Sequence, residues 1–518
     1  MVEHKKYFFC KKSVILLFLI TFLGFFLRVY KIDSYSHGGL FYYQLDFLHR
    51  LLVDPFNLKN PEFIYTQLYK FIYPPFYKYF LILFNKIYFL FGFLSGHFRS
   101  FSDLVSAFEK DYSGILLTHR IVELLISLAT IPVVYLISRT LFKNYIFGLI
   151  AALFIAICPL HIGCCFEIRP DVLQFFFFCV SFLYISKIFE GDLATKNYIL
   201  SGVFIALATA SRYSGLLGVF PLVFAHLCSN NKNKYLYLSL IIIIGSFFIL
   251  CFPVFLSLKA FIDSGMVIKH NLIGVGLKKA YQSIGWIDYP LSLRTSLGTG
   301  VSLISLLGIF LAVIRHSKRD ILMLIFPVTY YLLIGSVRVC AAYHTLLLVL
   351  FMILFAINFL EFVSTKIIKP RVFICILAIV FAVPSFKEAV YFTQWISQKN
   401  MQPEFENWFR NNIPINSKVL SIGATGALDE RLYSFTNIEG EDEPVPESLY
   451  KGNNFDYIII NQSELVFAKS KLLHEYIDKK FILLNNFEQK IKNPGYKFCN
   501  IYSTFYNWSV AVYKLNKL

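Results

Sequence analysis

Long apolar runs separated by short polar stretches make up the first three quarters of the chain. Because an α-helix needs about 20 apolar residues to cross a bilayer, runs of this kind predict membrane spans. The neighbouring runs 196–212 and 214–229 are short and could instead form one hairpin that does not fully cross. Eleven spans are predicted, near 13–29, 117–138, 144–162, 172–188, 196–212, 214–229, 235–257, 296–314, 320–337, 344–361 and 371–388.

The basic residues between the runs predict the orientation of these spans. Cytoplasmic loops of membrane proteins are enriched in Lys and Arg. With the N-terminus in the cytoplasm and the C-terminus outside, the basic loops near 139–143, 187–196, 232–234, 315–319 and 366–371 all lie in the cytoplasm. The first run continues into FLRVYK without the small residues of a cleavage site, so it is predicted to be an uncleaved span. The segments left outside are then a first loop over about 30–119, a connection near 161–171 and a loop over about 258–295.

One more apolar segment, near 74–95, decides whether this orientation holds. Polar residues and prolines interrupt it, which is more typical of a helix in the interface or of a re-entrant segment than of a span. We therefore predict that it lies in the outer loop and does not cross. The interrupting residues are Pro74, Pro75, Lys78, Asn85 and Lys86.

After residue 388 the apolar runs give way to a mixed polar sequence. The periods of EFENWFRNN and SKLLHEYID predict helices, and KVLSIG, YIIIN, KFILLNNF and VAVYKL are typical of strands. The glycines of SIGATGALDE lack the spacing of a dinucleotide fingerprint and are interpreted as turn residues. We predict a transmembrane domain over 1–390, with its long first outer loop (30–119), and a small extracytoplasmic α/β domain over 400–518.

Composition agrees with a membrane protein, because 57% of the 518 residues are hydrophobic and only 16% are charged. The net charge of +17 is explained by basic cytoplasmic loops, so no nucleic-acid partner is expected. Cys158, His161, Cys164 and Cys165 have a spacing that superficially resembles a set of metal ligands. The paired spacing of a structural zinc site is missing, so we interpret them as small side chains compatible with an apolar helix end.

Charged residues interrupt the apolar stretch CCFEIRPDVLQFFFF, which covers residues 164–178. Pro170 suits the first position of a helix, and Asp171 in the first turn is favourable to the helix dipole. Charges at membrane depth are costly, so they either lie at a helix end in water or form a functional site. Helix capping and a site role both remain open for Asp171 at this point.

The long first outer loop carries the acid–base candidates Asp33, His37 and Asp46. Removing a proton from an acceptor requires a carboxylate or an imidazole within reach. The structural alternatives are a turn residue for Asp33, an ordinary loop histidine for His37 and the polar face of an interfacial helix for Asp46.

Basic residues near the predicted outer face form a second group, against the usual charge bias of membrane proteins. An anion such as a phosphate at the headgroup level would explain several of them together, since Arg binds phosphate with paired hydrogen bonds. Snorkelling to lipid headgroups explains any one of them equally well. The group consists of Arg28, Lys78, Arg120, Arg169, Arg212 and Arg338.

Five stretches in this order resemble the bacterial branch of the GT-C glycosyltransferases, the family of dolichyl-phosphate-mannose protein mannosyltransferases and aminoarabinose lipid A transferases. They are NPEFIYTQLYKFIYPPFYKYF, RIVELLISLATIPVVYLISRTLF, GLIAALFIAICPLHIGCCFEIRPDVLQFFFF, GVFIALATASRYSGLL and SVRVCAAYHTLLLVLFMILFAI. The resemblance covers most of residues 13–388. It implies transfer of a sugar from a polyprenyl-phosphate donor to a lipid, protein or glycan acceptor on the outer face of the cytoplasmic membrane.

The resemblance also implies roles for single residues. Asp171 matches the family's acidic residue and would orient the acceptor or bind a divalent metal, the one candidate cofactor. Arg169, Arg212, Arg338 and Lys78 are the expected ligands of the donor phosphate. The family's Asp-Glu pair after the first span is replaced here by SHGGLFYY, so His37, Asp33 or Asp46 would have to act as the base.

Two other functions stay open. A transporter or flippase for lipid-linked glycans would place its ionisable groups near the midplane of broken helices and would show internal repeats. Here the charges cluster near the predicted outer face and no repeat is visible, which favours the enzyme. A catalytically inactive homologue that binds lipid-linked sugar is the second alternative, because a shared fold does not guarantee a working site.

The orientation predicts the result of reporter fusions. Fusions after residues 40, 105, 280 and 450 should report the outer side, and fusions after 141, 232 and 317 the cytoplasm, because basic loops stay inside. A fusion at 105 that reports the cytoplasm would mean that the segment near 74–95 crosses.

Overall fold

The structure is a computed structural model of the chain, and helices occupy its first three quarters. A mixed region of helices and strands follows Ile396. The model describes residues 11–33, 73–110, 113–229, 234–273, 284–338, 340–367, 370–398, 402–422, 433–438, 455–461, 471–488 and 509–516. His37 and Asp46 lie outside these residues.

Besides two short 3-10 helices at Tyr213–Gly218 and Ala342–Thr345, this region contains seventeen described α-helices, most of which follow the apolar runs while the rest lie in the predicted outer loops. They are α1 (Lys11–Val29), α2 (Phe76–Leu94), α3 (Phe101–Lys110), α4 (Ser113–Phe142), α5 (Tyr145–Ala156), α6 (Pro159–Cys164), α7 (Pro170–Phe189), α8 (Thr195–Ser211), α9 (Val219–Cys228), α10 (Tyr235–Leu250), α11 (Phe252–Leu256), α12 (Leu258–Ile273), α13 (Gly285–Leu297), α14 (Thr299–Arg315), α15 (Lys318–Gly335), α16 (Leu346–Ser364) and α17 (Pro370–Ile396).

Fewer continuous spans are found than the eleven expected. Six helices among the described residues are long and apolar enough to cross a membrane, and the pair α14 and α15, bent by 119°, would make a seventh. The expected span 144–162 is interrupted between α5 and α6 because Pro159 starts a new helix and forces Cys158 into an extended conformation. The chain is a multi-pass helical membrane protein, but the eleven spans expected from the sequence are not confirmed.

The segment near 74–95 is a continuous helix, α2, with the length and composition of a span. Pro74 and Pro75 precede this helix and do not interrupt it, contrary to the sequence interpretation. Its polar residue Asn85 is buried and lies 2.7 Å from His119 Nε2 of α4. Whether α2 crosses the membrane stays a prediction.

The core of the helical region surrounds α7 and α16, which are buried along most of their length. Aromatic rings join them: Phe178 and Phe182 of α7 lie 6.0 and 5.0 Å, between ring centroids, from Phe351 of α16. Phe326 of α15 lies 4.4 Å from Phe178 and 5.1 Å from Phe351. Ring pairs at these distances stabilise a contact beyond the burial of area. The packing holds the N-terminal end of α7 beside the residues that precede α16.

The C-terminal region contains a five-stranded sheet in the order β2-β1-β3-β5-β4. Central strands β1 and β3 are parallel, whereas β5 is antiparallel to both of its neighbours. Helix α18 covers one face with Phe405 and Phe409, and α19 covers the other with Ile477. The elements are α18 (Gln402–Asn412), β1 (Lys418–Ile422), β2 (Ser434–Ile438), β3 (Tyr457–Asn461), α19 (Lys471–Lys480), β4 (Phe481–Glu488) and β5 (Ser509–Leu515).

A close contact between helix backbones fixes α14 against α16. A Cβ added at Gly308 of α14 would lie 1.8 Å from the carbonyl oxygen of Phe355 in α16, so the two helices approach too closely there for any larger residue. Small residues allow such contacts between membrane helices. Gly245 of α10 is a natural control, because a Cβ there would have nothing within 4 Å.

We therefore expect Gly308→Ala to lower the free energy of unfolding by about 1–3 kcal/mol, the usual cost of overpacking. Gly245→Ala should leave it unchanged or raise it by up to about 1 kcal/mol, since Ala is the better helix former. Thermal unfolding of the two purified variants in detergent measures the difference. Equal stability of the two variants would show that α14 and α16 do not need this contact.

Candidate functional site

The site begins where the chain leaves α6 and enters α7. Arg169 has an extended backbone and precedes Pro170, the first residue of α7. Proline lacks a backbone N–H, which costs nothing at this position because the first N–H groups of a helix have no partner within it. Asp171 follows in the first turn and is only 3% exposed. A buried carboxylate in an apolar helix requires partners.

Two arginines supply those partners. Arg169 Nε donates to Asp171 Oδ2 over 3.2 Å, and Arg212 Nη1 forms a close ion pair with Asp171 Oδ1. Arg212 ends α8 in an extended conformation, which lets its side chain reach α7. Both oxygens of Asp171 therefore bind guanidinium groups, and the helix-capping interpretation of this residue is not supported.

Arg169 is held on two further sides. Its Nη1 lies 3.4 Å from Glu167 Oε2, and its guanidinium carbon lies 3.3 Å from the ring centroid of Tyr343. The guanidinium of Arg212 lies 5.5 Å from the same ring and 5.7 Å from the ring of Tyr73. Contacts between cations and aromatic faces at these distances are attractive, and they are stronger away from water.

Gln174 fixes the backbone that carries Arg212. Its amide nitrogen donates to the carbonyl oxygen of Arg212 over 3.1 Å and to Ser214 Oγ over 2.9 Å. Because Gln174 lies three residues after Asp171, the two side chains share one face of α7. That face holds both the side chain and the main chain of Arg212.

A second buried carboxylate lies near this cluster. Glu123 of α4 is 1% exposed and accepts a 3.0 Å hydrogen bond from the hydroxyl of Tyr77 in α2. Its carboxyl group lies within electrostatic range of Asp171. The cluster therefore extends from α7 towards the contact between α2 and α4.

Of the expected site residues, the structure brings together Asp171, Arg169 and Arg212. Asp33 is exposed in the turn after α1, Lys78 is half-buried on α2, and Arg338 is exposed after α15. The roles of these three remain predictions. His37 and Asp46 lie outside the described residues.

Arg28 has a structural role that differs from the expected binding of an external anion. It is fully buried and donates to the carbonyl oxygens of Gly24, Ala156 and Ile155 over 2.9 to 3.3 Å. It also donates to Ser127 Oγ over 2.8 Å. The side chain therefore ties α1 to α4 and α5.

A divalent metal does not fit the residues of this cluster. Asp171 is paired with two guanidiniums, which would repel a cation. Across the described ranges, no three or more His, Cys, Asp or Glu side chains are grouped so that they could hold an ion. His161, one of the four residues with metal-like spacing, has its Nδ1 2.9 Å from Arg28 Nη2.

The sequence interpretation missed Tyr343, Gln174, Glu123 and Tyr77. A signal existed for Gln174, because it is polar and lies one helical turn after Asp171 in an apolar run. Glu123 is likewise a charge inside a predicted span. No local signal linked Tyr343 or Tyr77 to Asp171, since they come close only in the tertiary structure.

Comparisons with known proteins agree with this architecture. Residues 116–256, which include Arg169, Asp171 and Arg212, match the model of the dolichyl-phosphate-mannose-protein mannosyltransferase family. Among the curated proteins, none matches the sequence.

The fold is similar to that of two solved membrane enzymes. ArnT from Cupriavidus metallidurans has a TM-score of 0.52 at 10% identity, over 96% of this chain and 97% of that one. The same enzyme was also solved with undecaprenyl phosphate, with a TM-score of 0.50 at 10% identity over 97% and 98% of the chains. The archaeal oligosaccharyltransferase AglB from Archaeoglobus fulgidus, in complex with an inhibitory peptide and a dolichol-phosphate, has a TM-score of 0.54 at 12% identity over 87% and 69%.

The family model covers the part of the chain that carries the cluster, and the fold matches over nearly the whole length. These comparisons agree with the resemblance to the GT-C glycosyltransferases that the sequence predicts: residues 116–256 match the mannosyltransferase family model, and the fold is similar to those of ArnT and AglB.

Proposed function

We propose that this protein transfers a sugar from a polyprenyl-phosphate donor to a lipid, protein or glycan acceptor. The observation that supports this most is the pair of guanidiniums at Asp171. Among the described residues, Arg169 Nη2 and Arg212 Nε and Nη2 make no hydrogen bond, and the two side chains are 13% and 17% exposed. Oriented guanidinium N–H groups that remain open are suited to a phosphate.

The carboxylates orient the arginines for this role. Asp171 binds one side of both guanidiniums, and Glu167 binds Arg169 alone. These ion pairs fix the direction of the remaining N–H groups. Donors that are positioned before the ligand arrives lose little entropy when it binds. Asp171 would thus act on the donor through the arginines, and neither acceptor binding nor a metal is needed to explain it.

The chemistry then follows from where charge develops. As the acceptor attacks the anomeric carbon, the bond to the phosphate oxygen breaks and negative charge grows on the leaving phosphate. Arg169 and Arg212 would stabilise that charge. Asp33, His37 or Asp46 would take the proton from the acceptor.

The orientation of the protein is part of this proposal. The basic loops favour a cluster on the outer side of the cytoplasmic membrane, together with the C-terminal sheet region over 400–518. The similarity of the fold to ArnT, which was solved with undecaprenyl phosphate, supports a lipid-linked donor. Profiling the glycans and lipids of a deletion strain would identify the sugar and the acceptor.

We expect Arg169→Gln and Arg212→Gln each to weaken binding of undecaprenyl phosphate by about 10- to 100-fold, because each removes charge-assisted hydrogen bonds. Titration of the purified protein in detergent measures this affinity. Arg371→Gln, at an exposed arginine of α17, is the matched control and should bind as the wild type does. Unchanged affinity in both site variants, with folding intact, would reduce these arginines to structural anchors.

We expect Asp171→Asn to lower sugar transfer by about 100-fold or more, since an amide cannot hold two guanidiniums by charge. Transfer is followed with a panel of polyprenyl-phosphate sugars, and undecaprenyl phosphate binding is measured on the same samples. Asp103→Asn, at an exposed aspartate of α3, controls for the loss of one carboxylate.

Full transfer activity in Asp171→Asn would refute the role of this residue. Parallel Asp33→Asn, His37→Ala and Asp46→Asn variants locate the base, which should lose transfer but keep donor binding. A wild type that binds the lipid phosphate but transfers no sugar from the panel would favour the inactive homologue.

A further inference from the structure

The short 3-10 helix Ala342–Thr345 brings a second side chain to the arginine cluster besides Tyr343. His344, the next residue, has a half-buried ring within electrostatic range of the guanidiniums of Arg212 and Arg169. The ring centroids of Tyr343 and His344 are 4.6 Å apart. His344 is therefore a neighbour of both guanidiniums, although the proposed function so far gives it no role.

Two tyrosines hold His344 from the side away from solvent. The hydroxyl of Tyr289 in α13 lies 2.7 Å from His344 Nδ1, and the hydroxyl of Tyr330 in α15 donates to the carbonyl oxygen of His344 over 2.7 Å. Tyr289 is fully buried and Tyr330 is 3% exposed. The ring and the main chain of His344 are thus fixed independently by two different helices.

The bond to Tyr289 determines which ring nitrogen carries the proton. The Tyr289 hydroxyl also lies within reach of the Cys340 sulfur, but sulfur is a weak acceptor and an imidazole nitrogen a strong one, so Tyr289 donates to Nδ1. A neutral imidazole whose Nδ1 accepts a hydrogen bond carries its proton on Nε2. Within the part of the chain that the structure describes, Nε2 makes no hydrogen bond.

On the basis of the proposed function, we propose that His344 Nε2–H is a third donor to the phosphate of the polyprenyl-phosphate substrate, beside Arg169 and Arg212. Tyr289 is then a positioning residue that keeps the ring in the donating tautomer. A neutral donor adds a hydrogen bond to the phosphate without adding charge to a cluster in which Asp171 and Glu167 already offset the two arginines.

Two amide substitutions test the two ring nitrogens of His344 separately. The amide of His344→Asn reaches about as far as Nδ1 and can keep the contact with Tyr289, whereas the amide nitrogen of His344→Gln reaches about as far as Nε2. Their affinities for undecaprenyl phosphate are compared by titration of the purified full chain in detergent. Undecaprenol, which lacks the phosphate, is the control ligand.

We expect His344→Asn to bind undecaprenyl phosphate about tenfold more weakly, the loss of one hydrogen bond to a charged group, and His344→Gln to stay within about threefold of the wild type. Tyr289→Phe should weaken binding by about threefold, because the ring then shares its proton between two nitrogens. Binding of undecaprenol should not change in any of the three variants.

The outcomes separate this inference from the proposed function. Wild-type affinity in His344→Asn, with weak binding in Arg169→Gln, would overturn the role of His344 and leave the proposed function standing. A wild type that binds undecaprenyl phosphate no better than undecaprenol would overturn the proposed function itself. His344→Asn could instead keep wild-type affinity but lose sugar transfer and change the pH profile of transfer. That result would indicate that His344 acts as a base and would refute the phosphate contact.

Discussion

The ion pairs of Asp171 with Arg169 and Arg212 are the interaction on which the rest of the site depends. The Asp171 carboxylate is buried among helix ends in an apolar protein. Removing one partner of a buried ion pair leaves an unpaired charge and costs about 3–5 kcal/mol. Its partners come from the residue before α7 and from the residue after α8. The two chain segments must therefore lie side by side, and this requirement links the local sequence to the tertiary fold.

Apolar packing provides the frame for these charges. The rings of Phe178, Phe182 and Phe351 join α7 to α16 below the cluster, so the N-terminal end of α7 faces the 3-10 helix that carries Tyr343. The face of Tyr343 then covers the guanidinium of Arg169. Rigid helices hold such an arrangement more closely than loops do.

Arginines in this protein have two different roles that depend on their acceptors. Arg28 donates to backbone carbonyls and a serine hydroxyl and is fully buried, so its N–H groups are used within the protein. Arg169 and Arg212 are paired with carboxylates on one side and partly exposed on the other. Only the second arrangement orients the guanidinium and leaves N–H groups for a ligand. The same residue type thus stabilises helix packing in one place and suits anion binding in another.

The sequence by itself determined the class of the protein and pointed to three residues that the structure brings together in the candidate site, Asp171, Arg169 and Arg212. Apolar runs predict helices because the bilayer requires satisfied backbone groups, and charges inside those runs, such as Asp171 and Arg212, are conspicuous because they are costly there. Tertiary structure decided what sequence patterns could not. Asp171 binds two arginines and does not cap its helix, Pro159 divides an expected span, and Tyr343, Tyr289 and His344 come to the cluster from distant parts of the chain. The physical reason is that periodicity reports only which face of a helix is apolar, whereas partner choice depends on how distant helices pack.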